Sequence, residues 1–353
     1  MSLVEAALKA DTADAFSQVP VIDLKDASST DPAVRRALGA AIRDVCINVG
    51  FFYGACGLSV SVYMRRAGIG LNAVCNHGIS QRTIDNALAA MTEYFSLPLD
   101  EKMELDMRKS PNFKGYNPVL SSNNDPVNNG DMHEGFEFGW EELQAKESDE
   151  KRANDGVMAG VNVWPRAPAD LDGEHVVSHA AVTLGKTMFP LFALALDLPE
   201  EYFGDKTKNS AALMRVLHYP PQTGPVDDRV IGIGAHTDFE CFTILWQQPE
   251  IQALQVLNKQ DKWIDAPPTP GTLVVNLGDQ FARWTNDVFK STVHRAVNRS
   301  GVRRYSIPLF FGTDYDVRLE PISSCVSEDR PPKYEVVAAG DYVKARLKAT
   351  YGH

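Results

Sequence analysis

Two histidines and an aspartate in one stretch of the chain could hold a metal. His236-Thr237-Asp238 sits in strand-like sequence, where residues i and i+2 point to the same face. An imidazole and a carboxylate can therefore reach one ion while Thr237 turns away. A third ligand must come from another strand. His294, in Lys290-Ser-Thr-Val-His294-Arg295, stands far enough along for several strands to return across a barrel. Two histidines and one carboxylate with open coordination positions suit a ferrous ion. Arg304-Tyr305-Ser306 follows shortly after, and strand alternation puts Arg304 and Ser306 on one face while Arg303 points away. A guanidinium fork beside a hydroxyl suits capture of a small dicarboxylate. A lone His-x-Asp is weak in a chain with eight histidines, where core packing is the commoner fate. The three features together point to chemistry.

These residues need strands to carry them. From Ala211 onward the chain breaks into short alternating segments at 212–219, 230–236, 242–246, 253–257, 272–277, 291–297 and 303–311. Such spacing predicts an antiparallel sandwich or jelly roll. Before it, Val34, Leu38, Ile42 and Val45 recur at helical spacing behind Asp31 as N-cap, and Ile84, Leu88, Met91 and Phe95 define a second amphipathic helix. Residues 169–198 form the longest helical pattern, and helical sequence returns over 335–351. Val19–Leu24 and Gly50–Tyr53 read as strands, and residues 1–18 as a loosely held arm. Residues 105–165 are loop-rich, and His133, Glu134 and Phe136 are expected there at a pocket rim, off the metal. Phe113, Phe239, Glu240, Phe242 and Trp284 are candidates for shaping the pocket.

Composition narrows the partners. With 35 basic and 46 acidic residues the net charge is −11, which argues against a nucleic-acid surface and for a small-molecule partner. Five cysteines with no CxxC pairing fit a reducing compartment, and no signal peptide is evident, so the expectation is a cytoplasmic chain. Val45 to Met64 is apolar enough to imitate a membrane span. It nonetheless contains Asn48, two serines and several glycines, and reads better as a helix end and a buried strand.

The order of motifs resembles the isopenicillin N synthase-like branch of the 2-oxoglutarate/Fe(II)-dependent dioxygenases. The resemblance runs from Val19–Leu24 and Gly50–Tyr53, through Asn76-His77-Gly78-Ile79 and Gly115-Tyr116, to Asn162-Val-Trp164-Pro165. It continues in His218-Tyr219-Pro220-Pro221, His236-Thr-Asp238, Leu254-Gln-Val256, Asn276-Leu-Gly278-Asp279, His294-Arg295 and Arg304-Tyr-Ser306. Residues 54–73, glycine-rich and without period, separate two halves of what would otherwise be one strand; they read either as a surface loop or, the favoured reading, as an insertion such as a translated intron or gene-model error. His218 stands where the family often has asparagine, a position that touches cosubstrate packing. Ala253 replaces a common glycine.

The resemblance implies an α+β fold with a mainly β core: a double-stranded β-helix (jelly roll) flanked by N-terminal and C-terminal helices. It implies an N-terminal region over 1–205, a catalytic core over 206–315 and a C-terminal extension over 316–353. Fe(II) would lie on His236, Asp238 and His294. Arg304 and Ser306 would hold the distal carboxylate of 2-oxoglutarate, with Tyr219 helping and His77 structural. Dioxygen would be the second cosubstrate, and a small organic molecule, met by a monomer, would be hydroxylated, desaturated or cyclised. Some members use Arg-x-Ser on the substrate instead of 2-oxoglutarate, and a jelly roll with intact ligands could also be a binding module without turnover.

Overall fold

The structure, a computed structural model, describes residues 1–55, 79, 81–110, 112–124, 130–139, 162–165, 172–222 and 231–351. Most of the 54–73 insertion, His77, and the second half of the apolar run ending at Met64 lie outside the described residues. The first half of that run is a helix end followed by a strand, as its glycines and Asn48 required. No helix among the described residues is long and apolar enough to cross a membrane.

The chain opens with helix α1 (Leu3–Thr12), strand β1 (Val21–Asp23), helix α2 (Pro32–Asn48) and strand β2 (Phe51–Ala55). The loose arm expected at the N-terminus is instead a capped helix. Ser2 and Glu5 close a capping box, and Leu3, Val4 and Ala7 are buried. Asp31 caps α2 by accepting the Ala33 N–H, with Pro32 at the first helical position. Helices α3 (Gln81–Phe95) and α4 (Leu99–Met103) follow, then strands β3 (Gly115–Asn117) and β4 (Glu134–Gly139) inside the stretch read as loops. Helix α5 (Asp172–Ala195) completes the N-terminal part.

The remaining strands are β5 (Ala212–Tyr219), β6 (Ile233–His236), β7 (Phe242–Gln247), β8 (Leu254–Leu257), β9 (Trp263–Asp265) and β10 (Thr272–Leu277). After helix α6 (Asp279–Trp284) come β11 (His294–Ala296), β12 (Arg304–Phe311) and the last helix, α7 (Ala339–Tyr351). An eight-stranded sheet runs β1-β2-β10-β7-β12-β5-β4-β3, and a four-stranded one runs β6-β11-β8-β9. Among the strand pairings of the described residues only β1–β2 is parallel, with one isolated parallel bridge between Asp106 and Tyr116 beside it. This mixed α+β architecture with its large antiparallel sheet is the expected jelly roll, flanked by helices at both ends.

Strand alternation decides which residues meet which layer. On β12, Arg304, Ser306, Pro308 and Phe310 face an internal cavity, as do Leu213, Arg215, Leu217 and Tyr219 on β5. The opposite face packs on helices. Phe189 and Phe192 of α5 lie 5.3 and 5.1 Å, centroid to centroid, from Phe242 on β7, and Phe189 lies 5.6 Å from Phe311 on β12. Aromatic side chains of this size bury large areas each, so this cluster anchors the sheet that carries the site. Leu217 and Tyr219 of the large sheet meet Ile233 and Ala296 of the small one, bringing the two sheets together beside the cavity.

Candidate metal centre and cavity

His236 ends β6 and His294 begins β11, and the two are direct partners in the β6–β11 register. Asp238 follows His236 by two residues, as strand alternation required. Ligand atoms of all three lie within 4.8 Å of one another, with His236 Nε2 3.7 Å and His294 Nε2 3.6 Å from Asp238 Oδ1. Each ring nitrogen facing away from this focus is occupied. His236 Nδ1 lies 2.7 Å from the Gly234 carbonyl and His294 Nδ1 3.1 Å from the Thr292 carbonyl. A carbonyl can only accept, so each Nδ1 donates and each Nε2 keeps its lone pair for a metal.

The carboxylate is prepared in the same way. Asn276 Nδ2 donates to Asp238 Oδ2 at 2.6 Å, and Thr243 Oγ1 donates to the same oxygen, leaving Oδ1 to face the imidazoles. Burial alone would push this carboxyl up, but His294, His236 and the bonds from Thr243 and Asn276 outweigh it and hold the group below its usual range. Burial pushes the His294 imidazole down to about 4, with His236 adding to the effect. Deprotonated carboxylate and neutral imidazole are the metal-binding forms.

Arg304 and Ser306 lie nearby on β12. Arg304 is 1% exposed, its guanidinium 4.8 Å over the Tyr219 ring and its Nη2 3.2 Å from Gln247 Oε1. Its Nε and Nη1 have no hydrogen-bond partner among the described residues. Leaving buried donors unmet costs on the order of 1–3 kcal/mol each, so a carboxylate here would satisfy a standing demand. Ser306 Oγ and Tyr219 OH lie 3.4 Å apart beside it. The donor set of two imidazoles and one carboxylate fits Fe(II), and the unmet guanidinium edge fits a dicarboxylate cosubstrate.

Other expected site residues divide. Phe239 and Glu240 line the cavity, and burial pushes the Glu240 carboxyl up to about 8 against bonds with Gln280 and Tyr315. Phe242 and Trp284 are core residues, and Phe113 packs on the small cluster of Tyr315, Val343 and Leu347. His133 and Glu134 are not at a rim. His133 is buried with Nδ1 2.8 Å from the Gly232 carbonyl. Glu134 and Phe136 sit on the face of β4 opposite Glu137, turned toward the helices. Glu134 there receives Lys102 Nζ at 2.7 Å, Tyr116 OH at 2.5 Å and His218 Nδ1 at 2.7 Å. His218 is stacked between Phe95 and Tyr305, at 5.5 and 5.0 Å. It therefore belongs to this network behind the sheet and does not line the cavity.

Several cavity residues were not anticipated. Glu137 on β4 and Arg215 on β5 are register partners, 2.9 Å apart from Oε1 to Nε, and both line the cavity. Arg215 was open to discovery, since it lies four residues from Tyr219 on a strand. Glu137 was hidden because β4 was read as loop. Helix α7 contributes Val343, Leu347 and Thr350 to the wall.

This fold and this site define a class: non-haem iron oxygenases built on a jelly roll. Residues 210–313 match the model of the 2OG-Fe(II) oxygenase superfamily, and residues 67–167 match that of the non-haem dioxygenase in morphine synthesis N-terminal region. A 2-oxoglutarate-Fe(II) type oxidoreductase, ppzC, of Metarhizium majus is 34% identical, covering 94% of this chain and 87% of its own. Another, hxnY of Emericella nidulans, is 33% identical over 94% of this chain and 90% of its own. A full-length Neurospora crassa protein, solved in complex with alpha-KG and 5-formyluracil, superimposes with a TM-score of 0.75 at 25% identity, covering 94% and 96% of the two chains. The chain belongs to the 2OG-Fe(II) oxygenase superfamily. It is a 2-oxoglutarate/Fe(II)-dependent dioxygenase acting on a small organic molecule, with Fe(II) as cofactor and 2-oxoglutarate and O2 as cosubstrates.

Proposed function

We propose that His236, Asp238 and His294 hold the Fe(II), that Arg304, Ser306 and Tyr219 hold the distal carboxylate of 2-oxoglutarate, and that the enzyme hydroxylates a small polar substrate. Desaturation or ring closure would need only a different hold on the same substrate. The observation that carries this reading is the buried Arg304 edge, with two donors unmet, on the same cavity as a complete metal triad. The bound group supplies oxidation by dioxygen coupled to decarboxylation of 2-oxoglutarate to succinate. The chain supplies placement: carbonyl-oriented imidazoles, a carboxylate with one oxygen already engaged, and a cavity that brings both beside the Arg304 edge.

The Glu137–Arg215 pair supports a substrate that offers an acceptor and a donor close together. With Leu213, Leu217, Ile233 and Leu245 on the same cavity wall, this charged pair would help set the orientation of such a molecule. The 5-formyluracil bound by the Neurospora relative is a ring of that kind. In this reading residues 206–315 are the catalytic core, 1–205 the N-terminal region and 316–353 the C-terminal extension. In the same reading the chain is a monomer. Its cysteine usage favours the cytoplasm.

Anaerobic titration with Fe(II) and then 2-oxoglutarate tests the site. A visible charge-transfer band should form in the wild type and be lost in His236→Ala. A well-folded wild type that gives no band would overturn the assignment. Succinate release stimulated by cyclic amides or imides, and weakened by Arg215→Lys, would support the substrate class. Stimulation only by simple carboxylates or amines would remove it.

A further inference from the structure

Asp279 opens helix α6 and is not one of the three ligands, yet side chains from three separate segments converge on its carboxylate. Thr237, between His236 and Asp238, donates to Oδ2 at 3.2 Å, and Ser291, three residues before His294, donates to Oδ1 at 2.8 Å. From α7, Tyr342 OH donates to Oδ2 at 2.8 Å and Arg346 Nη1 lies 3.1 Å from the same oxygen. The Asp279 N–H donates to the Asp238 carbonyl at 2.8 Å. Burial, and then the Asp279 charge, push the Tyr342 hydroxyl up, so it stays a donor.

The same helix closes the cavity. Val343, Leu347 and Thr350 face it, and Arg346 lies 4.5 Å over the ring of Phe239, the residue after Asp238. One carboxylate thus fastens both metal-bearing segments and the helix that walls the substrate space. An acceptor shared by four donors cannot move toward one without releasing another. The docking of α7 and the placing of Thr237 and Ser291 are therefore linked.

We propose that Asp279 is a positioning residue that couples docking of α7 to the geometry of the metal-binding segments, so that a filled metal site and a closed cavity wall reinforce each other. The proposal rests on the ligand assignment above. Linkage requires the effect to be reciprocal: if a docked helix strengthens metal binding, metal must strengthen docking of the helix.

The test uses Mn(II) alone as probe, with amide hydrogen exchange over residues 339–351 and Mn(II) affinity as readouts. In the wild type, Mn(II) should slow exchange across that segment. Asp279→Asn keeps the side-chain shape but removes the charge that Arg346 meets. The slowing should then be lost, and Mn(II) affinity should fall about tenfold. A Tyr342→Phe/Arg346→Ala double variant, which leaves the Thr237 and Ser291 contacts in place, should lower Mn(II) affinity several-fold. It keeps the test open if Asp279→Asn folds poorly. Mn(II) binding that leaves exchange over 339–351 unchanged, or a double variant with wild-type affinity, would overturn the coupling alone. A wild type that binds no Mn(II) would overturn the ligand assignment and the coupling with it.

Discussion

His236 and His294 face each other across the β6–β11 pairing with ring centroids 4.3 Å apart, and each directs Nδ1 to the carbonyl two residues before it. Their orientation is therefore written into the backbone of two paired strands. Asp238 differs, because side chains hold it. Outside the ligands themselves, sensitivity to mutation should concentrate on the groups that hold Asp238.

Asn276→Ala removes one of the two donors to Asp238 Oδ2. Loss of such an outer partner costs roughly 10- to 100-fold in metal affinity, and Mn(II) or Fe(II) titration should show a loss of that order with the fold retained. Affinity unchanged within twofold would mean that Thr243 suffices to hold the carboxylate.

Arg304→Lys tests the cosubstrate edge. Lysine keeps the charge but presents a single point where the fork presents two donors. Losing one charge-assisted hydrogen bond, worth about 1.5–3 kcal/mol, should raise the 2-oxoglutarate KM roughly 10- to 100-fold. Metal affinity should stay near wild type, which separates this effect from general damage.

Glu134 gives a pH-dependent prediction. Burial pushes its carboxyl up, but the bonds from His218, Lys102 and Tyr116 outweigh this and hold it below the usual 4.5. A carboxyl depressed in the folded state contributes stability that is complete above its unfolded pKa and is lost as pH falls through the folded one. Glu134→Gln should cost on the order of 3 kcal/mol at neutral pH, because it strands the buried Lys102. The gap between variant and wild type in denaturant melts should narrow below about pH 4.5. A gap that stays constant down to about pH 3 would show that the charge is not what matters.

Gly185→Ala sets two effects against each other. Alanine in a helix gains about 1 kcal/mol over glycine. Here the added Cβ would lie 2.5 Å from Phe311 Cδ2, and that ring is fully buried against Phe189 and Phe242. Overpacking of this kind costs about 1–3 kcal/mol, so the clash should win and chemical denaturation should show a net loss. A more stable variant would mean that Phe311 has room to turn.

How much of this was legible in the sequence depends on how local each signal was. The pairings of His236 with Asp238 and of Arg304 with Ser306 follow from strand alternation, a period-two rule that needs no tertiary information, whereas His294 came from the order of motifs; β5, β7, β10 and β12 came within a residue or two of their bounds. Strands β3 and β4 did not, because Glu134-Gly-Phe-Glu-Phe-Gly139 reads as polar until its acids find partners across the sheet. Glu134 needs Lys102 and His218, and Glu137 needs Arg215. The N-terminal helix was missed because its stability comes from a cap at Ser2 and from burying Leu3 and Ala7, not from a long periodic stripe. The role of α7 in the cavity wall was invisible for a similar reason: it depends on Asp279, in a different segment altogether.

The order in which the large sheet is threaded bears on how the protein is made. Among the described residues, strand β2 joins the rest of that sheet through β10, Ala55 pairing with Thr272 and Phe51 with Asn276, and β1 joins through β2. On the ribosome, Phe51, Phe52 and Tyr53 emerge early, and of their two strand partners the short β1 is already made while β10 waits until residue 277 has been synthesised. Through most of translation the β10-facing edge of this aromatic strand stays open, the kind of unpaired edge on which nascent chains aggregate.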